Sequence, residues 1–165
     1  MALIAAGCAT TPPGPSDPAK VCDALMVTIP ALNIDPPSGD ARVQSTQFVE
    51  ASPMSMPQAG PPVPAMPRHC RVIGEIAPLD PTAPPIRFQV NLPVEWNGRA
   101  VQYGGGGFNG VLITGLAFPP AARTDFPAPL ARGYVTYGTD SGHQNKPGTA
   151  LQEFSLNDEA LLNFA

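Results

Sequence analysis

Between residues 86 and 92 the chain alternates strictly: Ile86, Phe88, Val90 and Leu92 fall on one side, Arg87, Gln89 and Asn91 on the other. Period-two alternation predicts a half-buried antiparallel strand with its apolar side inward. Residues 41–51 repeat the habit. Val43, Ser45, Gln47 and Val49 oppose Gln44, Thr46, Phe48 and Glu50, which predicts a second strand with one dry face. Residues 70–77 read as a third strand, forming a hairpin with 86–92 across the proline-rich turn 78–85. Ala100–Tyr103 and 134–139 read as two more. Residues 21–29 fit a helical turn or a strand, and the pattern does not choose between them. Phe126 to Arg132 predicts a short helix stopped by Gly133. Asn157 and its neighbours offer an N-cap for a helix opening at Asp158, with Leu161, Leu162 and Phe164 as its apolar stripe. That helix breaks off after about two turns, which predicts a sequence continuing beyond Ala165.

Composition supports strands and loops. The 165 residues include 23 prolines and 16 glycines, too many breakers for a helical protein. The 43% hydrophobic and 13% charged content argues against a solvated disordered chain. The length suits one domain or part of one. Residues 52–67 carry so many prolines that neither a ladder nor a helix is expected there, only a long surface loop. Residues 9–19 read as a Thr/Pro/Gly/Ser-rich tether. The net charge is −4 and no basic cluster exists, so nucleic-acid binding has no electrostatic basis.

The cysteines are Cys8, Cys22 and Cys70. Small residues before Cys8 and a polar spacer after it look like the end of a bacterial lipoprotein signal, in which the cysteine takes lipid. Only seven residues precede it, too few for a working signal. The alternative is an apolar N-terminal segment with an unpaired thiol. Either way the expectation is an exported protein, secreted or periplasmic and at the cell surface if anchored through Cys8. Cys22 and Cys70 then become a disulfide pair. Residues 1–20 form the signal remnant and tether, and 21–165 the folded portion.

The strand at Ala100–Tyr103 runs directly into Gly104, Gly105, Gly106 and Gly107, then Phe108, Asn109 and Gly110. Glycines permit positive φ and let a ligand atom approach bare N–H groups. At a strand end this is how an oxyanion hole is built. Gly106 and Gly107 are the candidate donors, and Phe108 lines an aromatic pocket or packs in the core. A plain tight turn is the competing reading. Asp140-Ser141-Gly142-His143 holds acid, serine and histidine within four residues, but triad members come from different elements. The expectation is a hydrogen-bonded turn near the site. His69 is expected to be exposed. Trp96 with Asn97-Gly98 reads as a clamped hairpin turn, with ligand stacking by Trp96 as the alternative. No metal-ligand spacing appears.

In order, Cys70-Arg71-Val72, the strand 86–93, Trp96-Asn97-Gly98-Arg99, the glycine loop through Gly110, Gly133-Tyr134 with Thr139-Asp140-Ser141-Gly142-His143, and 157–165 resemble the N-terminal part of the tannase/feruloyl esterase family. That resemblance implies an α/β fold, the first part of an α/β-hydrolase sheet, truncated before the nucleophile elbow. It implies a serine carboxylic ester hydrolase acting on small aromatic esters of feruloyl, galloyl or terephthaloyl type. The family's Gly-x-Ser-x-Gly elbow is absent from the 165 residues, so the chain is expected to be inactive alone. The implied structural calcium belongs to a later lid domain, and no cofactor is expected here. The competing reading is a β-rich surface lipoprotein that binds ligands without catalysis.

Overall fold

The computed structural model describes residues 17–34, 37–119 and 121–164; Cys8 and most of the tether lie outside them. Six strands form one mixed sheet: β1 (Thr28–Ile29), β2 (Ala41–Val49), β3 (His69–Ile76), β4 (Ile86–Pro93), β5 (Ala100–Tyr103) and β6 (Val135–Thr139). Their order across the sheet is β1-β2-β3-β4-β6-β5. All neighbours are antiparallel except β5 and β6, which run parallel. The helical elements are short. They are α1 (Pro18–Asp23), α2 (Asp158–Phe164) and three single 3-10 turns.

The ambiguous segment 21–29 holds both predicted elements in succession. Asp17 caps α1 through Ala19 N, and Pro18 suits its first turn. The chain then extends into β1. A disulfide joins Cys22 to Cys70, with Cα atoms 5.5 Å apart, and fixes α1 on β2 and β3. Cys22, Val43, Cys70 and Val72 form the core here, with Leu25, Phe48, Val90 and Leu92 packed around them.

Two strand faces differ from the alternation. In β2 the pairing with β3 skips Gln44 between Val43 and Ser45. This bulge reverses the parity, so Ala41 and Val43 are buried before it, while Thr46 and Phe48, rather than Ser45 and Gln47, are partly buried after it. In β4 the polar side is the deeper one: Gln89 and Asn91 are buried, and the apolar side is half-buried. Residues 111–118, part of the connection between the parallel strands, run over that polar side. Asn91 Nδ2 donates to Thr114 O at 2.8 Å and to Thr136 Oγ1 at 3.0 Å, and Gln89 Nε2 donates to Asn91 Oδ1 at 2.8 Å. The polar residues are buried because irregular backbone lies on them and supplies the acceptors.

The proline-rich segment also pairs more than expected. Ser52 with Met66 and Ser55 with Val63 form antiparallel bridges, because the prolines at 53, 57, 61, 62, 64 and 67 leave those four N–H groups free. Asn97-Gly98 is a turn but not a hairpin, since β6 lies between β4 and β5. Trp96 is largely exposed and closes the turn through Nε1 to Arg99 O at 2.9 Å. The expected 126–132 helix is only a 3-10 turn, Leu130–Arg132, ended by Gly133 at φ +81°. A Cβ on Gly133 would lie 2.5 Å from Glu95 O, so the position has room only for glycine.

The capping of α2 follows expectation: Asn157 Oδ1 accepts from Ala160 N at 2.9 Å. Glu159 accepts from Leu79 N and Asp80 N, and Asn157 Nδ2 donates to Asp80, which staples the 78–85 turn to the helix. The apolar stripe does not seal. Ala160 is buried and Phe164 half-buried, but Leu161 and Leu162 are exposed.

Candidate active site

Parallel pairing of β5 and β6 puts the carboxyl ends of both strands at one edge of the sheet. Ligand crevices of open α/β sheets lie at such ends, where strand order switches. The glycine loop leaves β5 there, and the turn 140–143 leaves β6 beside it.

Asn109 N donates to Gly106 O at 3.0 Å, so residues 106–109 form a tight turn. Gly107 has φ +57° and Gly110 φ +78°. The loop glycines then divide into two kinds. A Cβ on Gly105 would meet Asn109 Oδ1 at 2.1 Å, and one on Gly110 would meet Asn145 Oδ1 at 2.2 Å. Gly104, Gly106 and Gly107 face open space. Among the described residues the N–H groups of Gly106 and Gly107 meet no acceptor. Gly106 and Gly107 therefore combine unpaired N–H groups with open space at their Cβ positions, while asparagine side chains fill the space at Gly105 and Gly110.

The turn after β6 is built on Asp140. Its Oδ1 accepts from Arg87 N and Gly142 N, both at 3.0 Å, and its Oδ2 accepts from Gln144 Nε2 at 2.7 Å. These donors satisfy a carboxylate that is almost fully buried. Ser141 adopts φ +62°, and its Oγ accepts from Asn109 Nδ2 at 3.0 Å. His143 is buried, with Nδ1 3.4 Å from Ser141 O, Nε2 without a partner among the described residues, and its ring stacked on Phe154 at 3.8 Å. His143 thus faces the backbone carbonyl of Ser141 and not its hydroxyl, and the side chains of Asp140 and Ser141 bond other groups, so no acid–histidine–serine relay forms among the three. The turn expected here is present, but Asp140 bonds Gly142 and Gln144 rather than His143.

Phe108 is half-exposed and edges onto Phe154 (6.2 Å) and Phe164 (6.3 Å). It is neither a core residue nor isolated, but the outer member of an aromatic cluster beside the open glycines. A cavity of about 440 Å³ adjoins this cluster, lined among others by Thr82, His143, Lys146, Phe154 and Asn157. Tyr103, at the start of the loop, donates to Ala117 O at 3.2 Å, and burial pushes its hydroxyl pKa up.

His69 lies elsewhere, beside Cys70, and is buried rather than exposed. Its Nδ1 sits 2.8 Å from Pro67 O, and burial lowers its pKa below the ordinary value. Among the described residues no group of three or more His, Cys, Asp or Glu side chains could hold a metal ion, and no helix is long and apolar enough to cross a membrane. The residues that sequence reading missed are Asn91, Asn109, Asn145 and Phe154. The Asn109-Gly110 dipeptide was a usable signal for a left-handed turn.

The family model described as tannase and feruloyl esterase matches residues 70–165. An uncharacterized esterase of Agrobacterium fabrum is 42% identical over 151 residues, covering 91% of this chain and 26% of that protein. The mono(2-hydroxyethyl) terephthalate hydrolase of Piscinibacter sakaiensis is 33% identical over 112 residues, covering 66% of this chain and 17% of its own. Two crystal structures from Aspergillus oryzae, an esterase and feruloyl esterase B, superpose with TM-scores of 0.53 and 0.55 at 21% identity, each over 90% of this chain and 26% of theirs. The chain spans about a quarter or less of the length of these relatives. The structural likeness shows that the mixed sheet shares the fold of these two proteins over the part it covers.

Proposed function

The chain belongs to the tannase and feruloyl esterase family, and from that premise we propose that it supplies the oxyanion loop of a secreted serine esterase acting on small aromatic esters. The observation that carries the reading is the glycine loop at the carboxyl end of β5, with Gly106 and Gly107 open and their N–H groups unpaired. When a nucleophile adds to an ester carbonyl, negative charge develops on the oxygen. Preorganised N–H donors stabilise that charge more than they stabilise the ground-state carbonyl, and removing one typically costs about 2.7–4 kcal/mol of barrier. Phe108, Phe154 and Phe164 offer ring edges beside this position, where an aromatic acyl group gains contact area.

The acid, histidine and nucleophile of the reaction are not supplied by Asp140, His143 and Ser141, whose side chains form no relay with one another. A longer parent contributes them, and the 165-residue chain is inactive by itself. Export is supported by the Cys22–Cys70 bond, since structural disulfides persist in oxidising compartments. A longer signal ahead of Cys8 would make that cysteine the lipid anchor of the exported form.

The test compares the complete product of the gene with the 165-residue chain on methyl ferulate and mono(2-hydroxyethyl) terephthalate. Hydrolysis by the first and none by the second is expected. Turnover by the short chain, or a complete product with neither a Gly-x-Ser-x-Gly elbow nor aromatic esterase activity, would sink the proposal.

A further inference from the structure

We infer that Asn109 is a positioning residue: its side-chain amide, hydrogen-bonded to the turn after β6, fixes the path on which Gly106 and Gly107 present their N–H groups. The inference rests on the oxyanion reading of those two glycines. Three non-glycine residues among those described have positive φ: Asn109 at +48°, Ala121 at +59° and Ser141 at +62°. Left-handed backbone costs energy in residues with a Cβ and persists where the surroundings enforce it, often at functional sites. Two of the three are joined to each other, Asn109 Nδ2 donating to Ser141 Oγ at 3.0 Å. The same Nδ2 lies 3.4 Å from Thr139 O. The backbone of Asn109 is held as well, because Asn145 Nδ2 donates to Asn109 O at 2.7 Å and Asn145 N donates to Gly110 O at 2.9 Å.

The other end of the amide explains a glycine. Asn109 Oδ1 is buried, has no hydrogen-bond partner among the described residues, and occupies the place a Gly105 Cβ would take. It therefore faces the α-hydrogen of Gly105, a weak C–H···O contact at best. The amide plane thus stands as a spacer between the Gly105 backbone and the β6 turn. Gly106 and Gly107 follow immediately and are exposed, and the described bond to them is Asn109 N to Gly106 O, so where residue 109 is held sets where they stand. Displacing a stabilising group by about 1 Å can cost on the order of 100-fold in rate, which makes this spacer a kinetic element as well as a structural one.

Two variants divide the contributions. Asn109→Gly keeps the left-handed backbone but deletes the amide; Ser141→Ala keeps the amide but removes its acceptor. In the 165-residue chain, ¹⁵N relaxation should show the Gly106 and Gly107 order parameters falling from about 0.85 toward 0.6 or below, with β4 and β6 unchanged. In the complete gene product, kcat on an aromatic ester should fall about 10- to 100-fold with KM within about twofold, the signature of a contact made in the transition state. Unchanged order parameters in both variants would overturn the inference, as would a loosened loop with unaltered kcat. If the loop loosens but the unsubstituted complete protein hydrolyses no aromatic ester, the spacer role stands and the oxyanion reading fails.

Discussion

Asn91 ties the sheet to the segment that follows the glycine loop, and its replacement gives a sharp test of how that connection is held. Asn91→Leu keeps the branching of the side chain but removes its polar atoms. It deletes donation to Thr114 O and Thr136 Oγ1, and it strips Gln89 Nε2 of its acceptor. Thr114 is an exposed residue and its bond to Asn91 is only part-buried, so the loss at its carbonyl is the milder one. Gln89 is only 3% exposed and has no such remedy. An orphaned buried donor costs about 1–3 kcal/mol, and each lost neutral hydrogen bond about 1 kcal/mol. The sum is about 3 kcal/mol, or a fall in Tm of roughly 6–12 °C for a chain of this size. The double variant Gln89→Met/Asn91→Leu should recover about half of that loss, because it removes the orphan along with its partner. Urea unfolding monitored by circular dichroism gives both numbers. If the single and double variants are equally stable, or the single costs under about 1 kcal/mol, the polar layer is not held by hydrogen-bond satisfaction and the reasoning fails.

Replacing both Cys22 and Cys70 by alanine opens a loop with a sequence separation of 48. The chain-entropy account expects a loss of about 4 kcal/mol, read from the urea midpoint, and a loss under about 1 kcal/mol would refute it. Gly104→Ala and Gly106→Ala meet open space and should leave Tm within about 1–2 °C, whereas Gly105→Ala meets Asn109 and Gly138→Ala would set its Cβ 2.3 Å from Ile113 O, each costing about 1–3 kcal/mol. Burial holds His69 below its ordinary pKa, so the unfolded state binds the proton more readily. Its contribution to stability is therefore complete above the unfolded value of about 6.5 and is lost as pH falls from there through the folded value. His69→Gln should flatten the stability profile between about pH 7 and 5, and an unaltered profile would count against this assignment.

Much of the architecture was legible because strand signals are local. Alternation at 86–92, the β-branched run after Cys70 and the short apolar strand before Gly104 each report a backbone period that needs no distant partner. Gly133 and Asn157 were readable as a helix stop and a helix cap for the same reason, since their geometry is satisfied within a few residues. Which side of a strand is buried was not legible in this way. Gln89 and Asn91 look like a solvent face until residues 111–118 cross them with backbone acceptors in place, and Gln44 gives no sign that β2 bulges there. His69 is buried although the proline-rich loop before it suggests exposure, because the start of β3 lies across from the end of β4.

The candidate site divides along the same line. The order of residues alone shows that a strand ends in a run of glycines, since only glycine combines bare N–H groups with free access to positive φ. It also shows that no Gly-x-Ser-x-Gly lies within these residues. Which glycines are open and which are filled by asparagine amides follows from packing in the folded chain, as does the role of Asp140, Ser141 and His143 as a support and not a relay. The reason is physical. Conformational freedom is a property of one residue, whereas the direction of a hydrogen bond depends on two segments, 105–110 and 139–145, that meet only because β5 and β6 run parallel.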